Sequence, residues 1–107
     1  MAADHSLDKT FVAAPKAGDR YEADLARIMA HPEAERMYSV IRVTRVSADG
    51  VEVELGRRYY NDWRGVDRDL RQGQADSEAY YGPERVALPQ ASIQKMFDEG
   101  TIRDVQR

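Results

Sequence analysis

The chain has 107 residues, 42% hydrophobic and 33% charged, enough for one modest core and too few for two domains. A formal net charge of −3 supplies no global field to steer it onto nucleic acid or acidic lipid. The absence of cysteine excludes disulfides, a thiolate nucleophile and Cys-based zinc sites, and no run approaches the roughly 18 apolar residues of a membrane span.

Residues 1–10 are polar and aperiodic and read as a flexible N-terminus, leaving a single domain at 11–107. They lack the basic start and apolar run of a secretion signal. The expectation is a cytoplasmic protein, or a periplasmic or membrane-tethered one if a leader has been removed. Phe11-Val12-Ala13-Ala14 reads as a short strand closed by Pro15, and Lys16-Ala17-Gly18-Asp19 as a turn. Residues 20–30 fit two patterns. Tyr21, Ala23 and Leu25 alternate with Glu22 and Asp24 as in a half-buried strand, while Tyr21, Leu25, Ile28 and Met29 share a helical face. Asp19 and Glu22 also have capping-box spacing. A strand at 20–27 is preferred, because the Gly-Asp turn leads straight into the alternation. Pro32 then holds His31 out of helical geometry and marks a connection.

Tyr38 to Val46 is rich in β-branched residues, Ser47-Ala48-Asp49-Gly50 is a turn, and alternation resumes from Val51 to Tyr60. Asp-Gly between such runs is a strong hairpin signal. Val51, Val53 and Leu55 point one way, and Glu52 and Glu54 the other. On the first strand Val40 and Val46 alternate with Ile41 and Val43, so both faces are apolar, as in a strand covered on each side. Gly56 marks a bulge or bend. Residues 61–83 read as a long, weakly structured segment with a short helix at 66–72, a length that is unusual in a compact domain and often functional. Arg85 to Leu88 reads as a strand and Pro89 opens a helix through Glu99. Ile93, Met96 and Phe97 form that helix's apolar stripe, Gly100 ends it, and Thr101 to Val105 is a closing strand.

Five or six short strands around one hairpin, with a single late helix, predict a mainly β, α+β domain: a small antiparallel barrel with a C-terminal helix and closing strand. The segment from Lys16-Ala17-Gly18-Asp19 to Glu22, Tyr38-Ser39-Val40-Ile41-Arg42-Val43, the Asp-Gly hairpin and Ala91 to Ile102 together resemble small bacterial SH3-like barrel proteins. The resemblance implies a binding or assembly module and carries over no catalytic residue. Thirteen arginines among 16 basic residues, with abundant alanine, are also the composition of a GC-rich bacterial gene.

No nucleophile elbow, phosphate loop or metal-ligand spacing is present, and no cofactor is expected. His31, Glu33 and Glu35 lack helical His spacing, and Asp67 and Asp69 flanking Arg68 suit an exposed, self-paired loop better than a cation. The segment that stands out is Arg57-Arg58-Tyr59-Tyr60-Asn61-Asp62-Trp63-Arg64 with Arg68 and Arg71, joined by Tyr80 and Tyr81 at the far end of the long loop. Arg57, Arg58, Tyr60, Trp63, Arg64, Arg68, Arg71, Tyr80 and Tyr81 are the candidate binding residues. Arg, Tyr and Trp are the anchors of protein interfaces, and they also stack on bases. A purely structural role is the competing account: Tyr59 continues the inner strand face, Trp63 plugs one end, and the arginines pair with Asp62, Asp67 and Asp69. Five Arg against three Asp over 57–71 is a weak basic excess, so a protein partner is favoured over nucleic acid. The expected function is a non-catalytic protein-interaction module, of accessory or immunity type. A nucleic-acid-binding barrel is the alternative, and a cryptic carboxylate-based hydrolase is third. The last requires two carboxylates converging in a pocket with displaced pKa values.

Overall fold

In the computed structural model residues 5–29 and 36–106 are described. The chain runs α1 (His5–Ala13), β1 (Arg20–Asp24), α2 (Leu25–Ile28), β2 (Tyr38–Ser47), β3 (Gly50–Gly56) and α3 (Trp63–Arg71). Two 3-10 turns (Gln74–Asp76 and Glu78–Tyr80) lead to β4 (Tyr81–Pro89), α4 (Gln90–Glu99) and β5 (Ile102–Gln106). The strands form one antiparallel sheet in the order β4-β3-β2-β1-β5.

The hairpin is the centre of that sheet, as the alternation requires. Ser47 pairs with Gly50, so Ala48 and Asp49 form the tip. Only Gly50 takes a positive φ there, of 153°. A Cβ at Gly50 would overlap the Leu88 carbonyl and lie 2.8 Å from Pro89 Cα, so glycine is what lets β4 close against the turn. β2 is apolar on both faces because it serves two cores. Ile41 and Val43 join Tyr21, Ala23, Val51, Val53, Leu55, Leu88 and Ile102 on one side, where Val12 of α1 and Ile93 of α4 cover them. Tyr38 and Val40 face the other side, under Val66 and Leu70 of α3.

This layering corrects the expected closed barrel. The sheet is open, with β4 and β5 at opposite edges and no ladder between them among the described residues. Helices cover both faces, so burial does not require the sheet to curl onto itself.

The N-terminal reading is also corrected: residues 5–13 are helical, with neither a loose stretch through residue 10 nor a strand at 11–14. Val12 is fully buried, and Gln90 Nε2 donates to its carbonyl oxygen at 2.9 Å, so docking against α4 and β5 outweighs the short local pattern. The two patterns over 20–30 are used in succession. The strand stops at Asp24, whose carboxylate accepts from Ala26 N–H at 3.2 Å and starts the single turn of α2. Glu54, expected to face outward with Glu52, is buried beneath Arg42, which donates to it at 2.5 Å.

Residues 61–83 are more ordered than the sequence suggests. Asp62 accepts from Arg64 N–H at 2.9 Å and starts α3 at Trp63 rather than at residue 66. The strand expected at 85–88 begins at Tyr81, which pairs with Gly56. The late helix is as expected: Gly100 takes φ 82°, and Thr101 N–H closes on Met96 oxygen at 2.8 Å. No helix of the described residues is long and apolar enough to cross a membrane.

Candidate functional site

The aromatic residues singled out in the sequence turn inward. Tyr60 is bound to Tyr38 by two backbone hydrogen bonds of 2.9 Å, and its ring lies where a Cβ on Gly65 would stand. Trp63 stacks on Tyr38 with ring centroids 4.0 Å apart and an interplanar angle of 23°. Tyr80 and Tyr81 are buried edge to face at 5.1 Å. Tyr60 and Tyr80 hydroxyls donate to the same Asp69 oxygen, at 2.8 and 2.9 Å, and Tyr81 donates to Ala75 oxygen at 2.7 Å. Burial, reinforced for Tyr80 by the hydrogen bond to Asp69, pushes both phenols well above the ordinary tyrosine range. Tyr80 and Tyr81 belong to the second core, and Tyr60 and Trp63 pack against it partly buried. Tyr59, expected on the inner face, is 55% exposed instead.

The arginines turn outward. Arg64, Arg68 and Arg71 follow helical i, i+4, i+7 spacing and form one exposed stripe on α3, with Arg57 and Arg58 exposed just before it. Arg58 donates to the Gln74 side-chain oxygen and lies 3.9 Å from Asp69, and Arg68 sits 5.9 Å from the Tyr60 ring centroid. The expected pairing with Asp62, Asp67 and Asp69 reduces to that one Arg58 contact. Asp62 caps α3, Asp69 holds the tyrosines, and Asp67 meets Arg103. The side chains of Arg57, Arg64 and Arg71 make no hydrogen bond or ion pair among the described residues.

A further constellation was not legible in the sequence. Glu22, Asp67 and Asp104 each bring a carboxylate oxygen within 4.8 Å of the other two. β1, α3 and β5 supply one each. The register of β1 against β5 shifts between Tyr21 and Glu22, and Asp104 takes φ 39°, the positive-φ residue of this bulge. The bulge turns both Arg103 and Asp104 toward Glu22. Arg103 then touches all three carboxylates, at 3.5 Å from Glu22, 3.9 Å from Asp67 and 3.2 Å from Asp104, and lies 4.8 Å from the Trp63 ring centroid. Glu22 is 2% exposed. Burial, then the hydrogen bond and charge of Asp67 and the charge of Asp104, push its carboxyl up to about 10 against the pull of Arg103, so at neutral pH it holds its proton. The group opens into a cleft of about 300 Å³ that Leu70, Arg71 and Gln106 also line.

Asp67 and Asp69 thus diverge from Arg68, one to the cleft and one to the tyrosines, while His31, Glu33 and Glu35 lie outside the described residues. No protein-family model, curated protein or solved structure matches the chain.

Proposed function

We propose that the protein is a non-catalytic interaction module that docks an acidic protein surface against the outward side of α3. The observation that carries this reading is that Arg57, Arg64 and Arg71 are exposed with side chains that make no hydrogen bond or ion pair among the described residues, and that Tyr59 is exposed too. Guanidinium groups not engaged within their own fold remain available for bidentate pairing with carboxylates, and a tyrosine among them supplies apolar contact. An accessory or immunity-type role would use this surface.

The nucleic-acid alternative is the weaker of the two. Base stacking needs exposed rings, and Tyr60, Trp63, Tyr80 and Tyr81 are committed to the second core. The carboxylate-hydrolase alternative has the convergence it requires at Glu22, Asp67 and Asp104, but Arg103 already pairs with all three carboxylates.

Trp63→Ala would confound binding with stability, so the test uses surface charge. Wild type and an Arg57→Glu, Arg64→Glu, Arg71→Glu variant are compared as baits, with oligonucleotide binding measured at low and high salt. A protein partner retained by wild type and lost by the variant supports the reading. Equal recovery by both, or oligonucleotide affinity that falls steeply with salt, removes it.

A further inference from the structure

Arg58 differs from the exposed arginines around it in being held from two sides. It donates to the Gln74 side-chain oxygen and lies 3.9 Å from Asp69 Oδ1, a fully buried oxygen that receives no hydrogen bond from any described residue. A buried carboxylate oxygen without a donor depends on a nearby positive charge, so Asp69 keeps the guanidinium folded toward it. Arg58 also lines a cleft of about 230 Å³ with Gln74, Ser77, Ala79 and Tyr80.

The hydrogen-bonding groups of that cleft are spent on one side only. The backbone oxygens of Gln74, Ser77 and Tyr80 accept from the N–H groups of Ser77, Tyr80 and Arg57, at 3.2, 3.1 and 2.7 Å. The Gln74 side-chain oxygen accepts from Arg58, which fixes the amide with its NH2 group turned away. Ser77 Oγ accepts from Ala79 N–H at 3.3 Å, and the Tyr80 hydroxyl is given to Asp69. The donors are left over: the Gln74 NH2, the Ser77 hydroxyl proton and the other Arg58 N–H groups make no hydrogen bond among the described residues. No carboxylate of the described residues lines the cleft. A concavity that has used its acceptors and kept its donors selects an acceptor.

We propose that this cleft is the anchor of the docking surface and seats a single carboxylate of the acidic partner. The proposal rests on the docking reading above and adds where the partner's charge is held. Arg57 stands at the edge of the cleft through its bond to Tyr80. Arg57, Arg58 and Asp69 together carry one formal positive charge, which a carboxylate balances and a phosphate dianion exceeds. Arg58 is already ordered by Gln74 and Asp69, so seating a carboxylate on it costs little side-chain freedom. Arg64 has no such support among the described residues and acts by longer-range attraction. The carboxylate is that of an Asp or Glu side chain or of a chain terminus, and the test separates the two.

The probes are three acetylated peptides: hexaglutamate amide, with side-chain carboxylates only; hexaserine acid, with a terminal carboxylate only; and hexaserine amide, with neither. Binding is followed by the nitrogen-15 resonances of Arg58 Nε and Gln74 Nε2. Hexaglutamate amide, hexaserine acid or both are expected to shift these two signals saturably, and hexaserine amide is not. Gln74→Glu still accepts from Arg58, so a merely structural Gln74 would tolerate it. As it replaces the free donor with an acid, it is expected to weaken binding by about tenfold or more at an unchanged urea midpoint. Arg58→Lys keeps a charge over Asp69 but loses the planar fork, and is also expected to bind more weakly. Shifts with hexaserine amide equal to the others, no shift at Gln74 with either carboxylate peptide, or unchanged affinity in Gln74→Glu would each overturn the proposal. If a captured partner is nonetheless lost by the Arg57→Glu, Arg64→Glu, Arg71→Glu variant, the docking surface stands without this anchor; if it is not, both fall.

Discussion

Tyr60 and Tyr80 donate their hydroxyls to one oxygen of Asp69, at 2.8 and 2.9 Å, and so tie the segment before α3 to the segment before β4. Asp69 is fully buried beneath them. Asp69→Ala leaves two phenols without an acceptor and is expected to cost about 2–4 kcal/mol, read as a lower urea midpoint with an unchanged slope. A loss under about 0.5 kcal/mol would show that the three groups do not act as a unit.

Gly65 sets a second test, because two effects there oppose each other. Alanine raises intrinsic helix stability by about 1 kcal/mol over glycine. In α3, however, the new Cβ would overlap the Tyr60 ring near its root, where the backbone bridge to Tyr38 and the bond to Asp69 prevent it from yielding. The clash is expected to win, with Gly65→Ala destabilised by about 1–3 kcal/mol in chemical unfolding.

Glu22 makes stability depend on pH with a definite sign. Its carboxyl is raised from 4.5 to about 10 in the folded chain, so between those values the native state holds a proton that the unfolded state has released. Its contribution to stability is therefore complete below pH 4.5 and is lost as pH rises toward 10. Glu22→Gln removes this dependence. Its unfolding free energy is expected to exceed that of wild type by a margin that widens from about pH 5 to about pH 9; a constant margin would contradict the shift.

The α3 stripe should be separable from the fold. Arg64 is exposed and its side chain makes no bond among the described residues, so Arg64→Glu is expected to change stability by no more than about 0.5 kcal/mol in thermal and urea unfolding. A larger loss would mean that this side chain serves the fold.

Much of the sheet was legible because its signals are local. The Val51-Val53-Leu55 alternation, the two-faced run around Val40 and Ile41, and the Pro89 and Gly100 boundaries of α4 are each written in neighbouring residues. α1 differs from the strand its short local pattern suggests, because Val12 takes its role from Gln90 and the sheet, far along the chain. α3 starts earlier than the apolar pair Val66 and Leu70 marks, because the Asp62 cap sets its first turn. In the candidate segment the residue types are local, and their orientations are not. Whether Tyr60 or Tyr59 faces inward depends on a bridge to Tyr38 that alternation extended from Leu55 misses, because the register shifts before Gly56. The carboxylate cleft had no sequence signal, since it depends on a bulge in β5 and on α3 crossing β1.

Val40 and Ile41 are adjacent in the chain yet belong to different hydrophobic clusters. β2 is thus a wall with a room on each side, and neither room can be taken down while the wall stands. Loss of α3 would strip one side of β2, and loss of α1 or α4 the other, so the two halves are expected to melt in one transition. The slowest-exchanging amides should then be those of β2, released only on global unfolding.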